Sequence, residues 1–127
     1  MAYKILYIED NPDNMHLIQR VLTARGYEVY GAETGSDGVS MAEKLKPDMI
    51  LLDINLPDID GYEVTRRIRN SKATGLSTAV IIAITANVLE GDAERTLEAG
   101  CDAYLPKPIN IKELWTRIES FRSEDAK

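Results

Sequence analysis

Three stretches of this chain are apolar almost without interruption: Ile5-Leu6-Tyr7-Ile8, Met49-Ile50-Leu51-Leu52 and Val80-Ile81-Ile82-Ala83-Ile84. Each is short and rich in strand-forming residues. A strand with one wet face alternates apolar and polar side chains. A continuous apolar run suits a strand covered on both faces, as in a parallel sheet. Tyr27 to Tyr30 alternates more and reads as an edge strand, and Ala103-Tyr104-Leu105 is a short fifth candidate.

Helical patterns fill the gaps. Asn11 is placed to cap a helix with Pro12 at its first position, Leu17, Ile18, Val21 and Leu22 recur at helical spacing, and Gly26 is the stop signal. Val39, Ala42 and Leu45 make a second apolar face that ends at Pro47. Val64 and Ile68 mark a third helix after Gly61, and Ala93 and Leu97 a fourth, closed by Gly100. The last opens with Asn110 and Glu113, a capping-box pattern, and carries Ile111, Leu114, Trp115, Ile118 and Phe121 as its stripe. Strand then helix, five times over, implies a parallel sheet with right-handed crossovers and helices on both faces. One domain over residues 1–122 accounts for the pattern. The polar tail at 123–127 is expected to be unstructured.

Composition narrows the function classes. With 44% hydrophobic and 28% charged residues the chain is an ordinary globular sequence. No apolar run approaches the roughly 20 residues that span a bilayer, and no signal peptide is evident, so the expectation is a cytoplasmic protein without membrane insertion. A net charge of −6 argues against direct nucleic-acid binding. Cys101 is the single cysteine, which excludes an internal disulfide and reads as a small apolar residue. His16 reads as an exposed helix residue, Trp115 as packing or partner-surface area, and Arg66, Arg67 and Arg69 as a solvated helix face.

In open α/β sheets ligands bind beyond the carboxyl ends of the strands. Strand one leads into Glu9-Asp10, strand three into Asp53, strand four into Thr85, and strand five is followed by Lys107-Pro108. Two carboxylates about 4 Å apart repel by roughly 4 kcal/mol at an effective dielectric of 20, so three together require a cation or must protonate in part. Lys107 supplies one charge, and the all-oxygen donor set suits a hard ion such as Mg²⁺. Mg²⁺ commonly pairs one or two carboxylates with a phosphate oxygen, which leaves one carboxylate as a nucleophile able to form an aspartyl phosphate.

The strings Glu9-Asp10-Asn11, Asp53-Ile54-Asn55-Leu56-Pro57-Asp58-Ile59-Asp60-Gly61, Thr85-Ala86 and Tyr104-Leu105-Pro106-Lys107-Pro108 stand in order at strand ends. The chain thereby resembles the receiver domain of two-component response regulators, from residue 3 to 122. The resemblance implies a flavodoxin-like α/β fold: a doubly wound, five-stranded parallel sheet of (βα)5 type with strand order 2-1-3-4-5. It implies that Asp53 is the phosphoacceptor, fed by a histidine kinase or a histidine phosphotransfer protein. Glu9, Asp10 and Asp53 become the Mg²⁺ carboxylates, with the backbone carbonyl of Asn55 as a further ligand and Mn²⁺ as a substitute ion. Thr85 becomes the switch hydroxyl, Lys107 its charge partner in front of a cis bond to Pro108, and Tyr104 the switch aromatic. A downstream protein partner reads about residues 88–122. Because the chain stops soon after the fifth helix, it resembles stand-alone receivers, expected as monomers or weak homodimers. Glu9 stands where many members have Asp. Asn55 and Asn87 stand two residues after Asp53 and Thr85, and the resemblance implies that these positions tune phosphoryl loss.

Rival functions meet specific obstacles. An aspartyl-phosphate hydrolase needs an acid two residues after its nucleophile, and Asn55 occupies that place. Slow autodephosphorylation is expected, without turnover on outside substrates. A nucleotide module cradles phosphate in a Gly- or Ser/Thr-rich loop after strand one, where Glu9-Asp10-Asn11-Pro12 would repel it. A receiver-like module that binds partners without phosphorylation is the remaining alternative.

Overall fold

The structure, a computed structural model, describes residues 3–72, 76–86 and 91–125. Its helices begin where short polar side chains take up the orphan backbone donors of a first turn. Asn11 Oδ1 accepts from Asn14 N at 2.9 Å, with Pro12 at the first position of α1 (Pro12–Ala24). Thr34 Oγ1 accepts from Asp37 N to open α2 (Gly35–Leu45), and Asp60 Oδ1 accepts from Glu63 N to open α3 (Gly61–Arg69). Asn110 Oδ1 does the same for Glu113 N at α5 (Ile111–Asp125). The remaining helix, α4 (Asp92–Ala99), has no side-chain cap and lies between Gly91 at φ +87° and Gly100 at φ +117°. Both angles belong to the left-handed region, which favours glycine.

The strands are β1 (Lys4–Ile8), β2 (Glu28–Ala32), β3 (Met49–Asp53), β4 (Val80–Thr85) and β5 (Ala103–Pro106). They pair in parallel in the order β2-β1-β3-β4-β5, the flavodoxin-like order expected from the sequence. The continuous apolar runs form the three central strands, and every residue of β3 is buried. Alternation across the pleat divides their side chains between two cores. Leu6, Ile8, Ile50, Leu52, Ile81 and Ala83 pack with Ala42, Val64 and Ile68 on the α2/α3 face. Ile5, Tyr7, Met49, Leu51, Ile82 and Ile84 pack with Ile18, Leu22, Leu114 and Ile118 under α1 and α5. Each fully buried Leu or Ile contributes roughly 1.5–3 kcal/mol of apolar burial, so these two layers fix the positions of the strand ends. Trp115 packs at the edge of the second core, its ring 4.2 Å from the Arg25 guanidinium, and Arg25 is ion-paired with Glu119.

Three local expectations are corrected. Leu97, an apolar marker of the fourth helix, does not face the core: it is 47% exposed, and among the described side chains of α4 the buried one is Thr96. Arg69 is not part of a solvated face. Its guanidinium donates to the carbonyls of Gly100, Ser77 and Ala79 and to Asp102 Oδ2, at 2.7–3.0 Å, whereas Arg66 and Arg67 stay exposed and pair with Glu63. And α5 continues past residue 122 to Asp125, because no glycine or proline intervenes to stop it. Asn87 lies outside the described residues. Among them, no helix is long and apolar enough to cross a membrane.

Candidate active site

The central strands end side by side. Ile8 is in register with Leu52, Asp53 with Ile84, and Thr85 with Pro106, so the residue leaving each strand emerges on the same edge of the sheet. Glu9 N donates to Ala32 O and Ile54 N to Ile84 O, which carries the pairing one residue beyond the strands. Glu9 and Asp53 are each 1% exposed and Thr85 is fully buried, while Asp10 and Asn55 face outward. Carboxylate oxygens of Glu9, Asp10 and Asp53 lie within 4.8 Å of one another. Lys107 reaches in from the far end of β5 and sets Nζ 2.9 Å from Asp53 Oδ1. Its backbone N donates to Thr85 O at 2.9 Å, which ties the lysine to the end of β4. The Lys107–Pro108 bond is cis, as the sequence implied.

The residues singled out from sequence are therefore gathered: Glu9, Asp10, Asp53, Asn55, Thr85 and Lys107 share one end of the sheet. Asn55 N donates to Asp53 Oδ1 at 3.1 Å and anchors the turn after β3. Tyr104 stands apart, half-buried on β5 opposite Ala83 and against the α2/α3 core. The loop after β3 is held down at its far end too. Asp58 accepts from Gly35 N at 2.8 Å and Ser36 N at 2.9 Å, across the start of α2. The Ser36 hydrogen bonds hold its carboxyl well below the usual carboxylate range. Gly61 closes this loop. A Cβ there would lie 2.7 Å from Ile54 Cα, and Gly61 N donates to Ile54 O at 2.8 Å.

Electrostatics at the site follow from crowding. Burial raises the Glu9 carboxyl above its ordinary value, the Asp53 carboxylate raises it further, and Lys107 and the backbone of Asn11 oppose the shift. Three crowded carboxylates, two of them buried, form an arrangement that a bound cation relieves. Three carboxylates with no thiolate or imidazole among them fit a hard divalent ion such as Mg²⁺.

Sequence reasoning missed two members of the arrangement. The hydroxyl of Tyr7, inside an apolar run, donates to Glu9 Oε1 at 3.0 Å. Asn14 Nδ2 donates to the same oxygen at 3.3 Å from the first turn of α1. The available signal was spacing: Tyr7 and Glu9 are two residues apart and so project to the same side of an extended chain.

Comparison with known proteins agrees with this geometry. Residues 5–119 match the model of the response regulator receiver domain. The chain is 36% identical over 121 residues to the polar-differentiation response regulator DivK of Brucella ovis, covering 95% of this chain and 97% of that protein. The receiver domain of a sensor histidine kinase from Pseudomonas aeruginosa, solved with a magnesium ion coordinated in its active-site cleft, superposes with a TM-score of 0.86. It has 40% identity and coverage of 94% of this chain and 97% of that one. A two-component response regulator from Clostridium difficile superposes with a TM-score of 0.89 at 27% identity, over 98% of each chain. With the sheet order, the acidic cluster and the matched span in agreement, the chain belongs to the response regulator receiver domain family.

Proposed function

We propose that the chain is a phosphorylation switch whose acceptor is Asp53. One observation carries this reading: a buried aspartate at the end of a central strand has a lysine ammonium 2.9 Å from Oδ1 and two further carboxylates within 4.8 Å. Glu9, Asp10 and Asp53, with the carbonyl of Asn55, hold Mg²⁺, for which Mn²⁺ substitutes. The bound ion supplies positive charge for phosphoryl oxygens. In the transfer an Asp53 carboxylate oxygen forms a bond to phosphorus as the bond from phosphorus to the donor imidazole nitrogen breaks. Lys107 and the Thr85 hydroxyl bind the oxygens of the transferred group. The donor is a histidine kinase or a histidine phosphotransfer protein in the cytoplasm.

The added charge is read at a distance. Thr85 turns toward the phosphoryl group, Tyr104 on the neighbouring strand follows, and the surface over about residues 88–122 changes for a downstream protein. A groove of about 520 Å³ supports this placement. Tyr104 lines one side of it, and Lys112, Thr116 and Arg117 of α5 the other. The protein acts as a monomer or weak homodimer, loses its phosphoryl group slowly by its own hydrolysis and turns over no outside substrate.

The test is intact-protein mass after incubation with acetyl phosphate, in Mg²⁺, in chelator, and with Asp53→Asn. A metal-dependent adduct that is absent from the variant is the expected result. No adduct in any condition refutes the reading and favours a phosphate-independent interaction module.

A further inference from the structure

Tyr7 is fully buried among Ile5, Ile18, Leu51 and Ile84, in a core where a phenylalanine would fill the same volume. Nothing in that apolar layer calls for a hydroxyl, and burying one without a partner costs about 1–3 kcal/mol. The hydroxyl instead leaves the core at its upper edge and donates to Glu9 Oε1 at 3.0 Å. Glu9 is held from above as well, by Asn14 Nδ2 on Oε1 and by Asn11 N on Oε2, each at 3.3 Å. Of these three donors only Tyr7 comes from a fully buried residue, so water cannot stand in for it.

Glutamate has one more rotatable bond than aspartate. A torsion already fixed in the free protein spares the entropy that a mobile carboxylate would lose on binding a cation. An aspartate at position 9 would draw its oxygens back by a methylene, about 1.5 Å, beyond the reach of a hydroxyl set in a rigid core. Tyr7 and Glu9 are therefore matched in length.

We propose that Tyr7 is a positioning residue of the acidic site, orienting the Glu9 carboxylate toward the metal position through its hydroxyl. The inference rests on the functional reading above. Partners that orient metal-binding carboxylates are worth 10–100-fold in affinity, and an aromatic clamp from beneath the sheet fits the lower end of that range.

The experiment is a double-mutant cycle of Tyr7→Phe, Glu9→Asp and the pair, with Mg²⁺ affinity read by calorimetry and thermal unfolding read without metal. Tyr7→Phe is expected to weaken Mg²⁺ binding about tenfold. It should leave the metal-free melting temperature nearly unchanged, and change affinity less than twofold when Glu9 is already Asp. Unchanged affinity in the Glu9 background overturns the proposal, as does an equal loss in both backgrounds, which marks a packing effect. If the unaltered protein binds no Mg²⁺ and takes up no phosphoryl group from acetyl phosphate, the functional reading fails and the proposal with it. Binding and phosphorylation that are both indifferent to Tyr7→Phe defeat the proposal alone.

Discussion

Lys107 and Asp53 meet across β4: the lysine follows β5, the aspartate ends β3, and Nζ still lies 2.9 Å from Oδ1. The ammonium is thus the counter-charge for a carboxylate that is almost wholly buried beside Glu9. Lys107→Ala is expected to lower the stability of the metal-free protein by about 1–2 kcal/mol at pH 7, because it leaves clustered buried charge unpaired. Mg²⁺ should restore much of the loss. Urea unfolding with and without Mg²⁺ measures both, and an unchanged midpoint without metal would mean that the ion pair contributes nothing net.

Thr85 is fully buried at the end of β4, beside the site yet outside the acidic cluster. Thr85→Ala should still accept a phosphoryl group while the difference in partner affinity between the phosphorylated and free forms falls several-fold. Thr85→Ser, which keeps the hydroxyl, should restore it. Binding of the kinase or effector to both forms by calorimetry is the readout. Equal coupling in Thr85→Ala and the unaltered protein would remove the hydroxyl from the switch.

Gly61 admits the backbone of Ile54 to a distance that no side chain tolerates, since a Cβ would stand 2.7 Å from Ile54 Cα and 3.1 Å from Asp53 O. Gly61→Ala should cost about 1–3 kcal/mol through overpacking. It should also slow phosphoryl uptake, because the segment that must yield carries Asp53. Denaturant unfolding together with the rate of adduct formation tests the two effects in one variant.

Arg69 joins α3 to the turns before β4 and β5 through four hydrogen bonds, and Asp102 Oδ2 also accepts from Ile81 N at 2.8 Å. A lysine has one donor centre in place of a planar fork. Arg69→Lys is expected to lose about 2 kcal/mol, most of it from carbonyls left unsatisfied. A loss no larger than that of Arg66→Lys, measured in the same urea titration, would contradict the assignment.

Asp58 predicts the acid limb of stability. Its folded carboxyl titrates below the ordinary range because Ser36 and Gly35 donate to the ionised form. An acid with a depressed folded pKa stabilises above its unfolded value, near 3.9, and loses that contribution as pH falls toward the folded one. Asp58→Asn should therefore be less stable than the unaltered protein at pH 6, and the gap should close on acidification below about pH 4. Melting temperatures across that range provide the check.

The parallel sheet and the clustering of polar residues at one edge were legible for the same reason, while the strand order came from the resemblance to receiver domains. Uninterrupted apolar runs mark strands covered on both faces, and the polar residue that ends such a run has only the carboxyl edge of the sheet to occupy. Glu9, Asp53 and Thr85 were found that way, and Lys107 through its place after the fifth strand. What escaped was tertiary. Arg69 differs from Arg66 and Arg67 only in pointing toward Gly100 and Asp102, residues more than thirty positions away. Leu97 repeats at a helical interval like a core residue, but Thr96 is the residue turned inward. Tyr7 looks like any strand aromatic until the side of the sheet it shares with Glu9 is known.

The exposure of Leu97 bears on how the molecule breathes. Among the described residues, α1 is held by Ile18 and Leu22, α3 by Val64 and Ile68, and α5 by Leu114 and Ile118, whereas α4 buries Thr96 and packs Ala99 only in part against the α2/α3 core. With a left-handed glycine at each end and Leu97 already exposed, α4 is expected to open at lower cost than the helices that bury at least two apolar side chains each. Its backbone amides should exchange with deuterated solvent well before those of β3. Under the proposed function, such a segment is the one that a phosphoryl charge would displace at least cost.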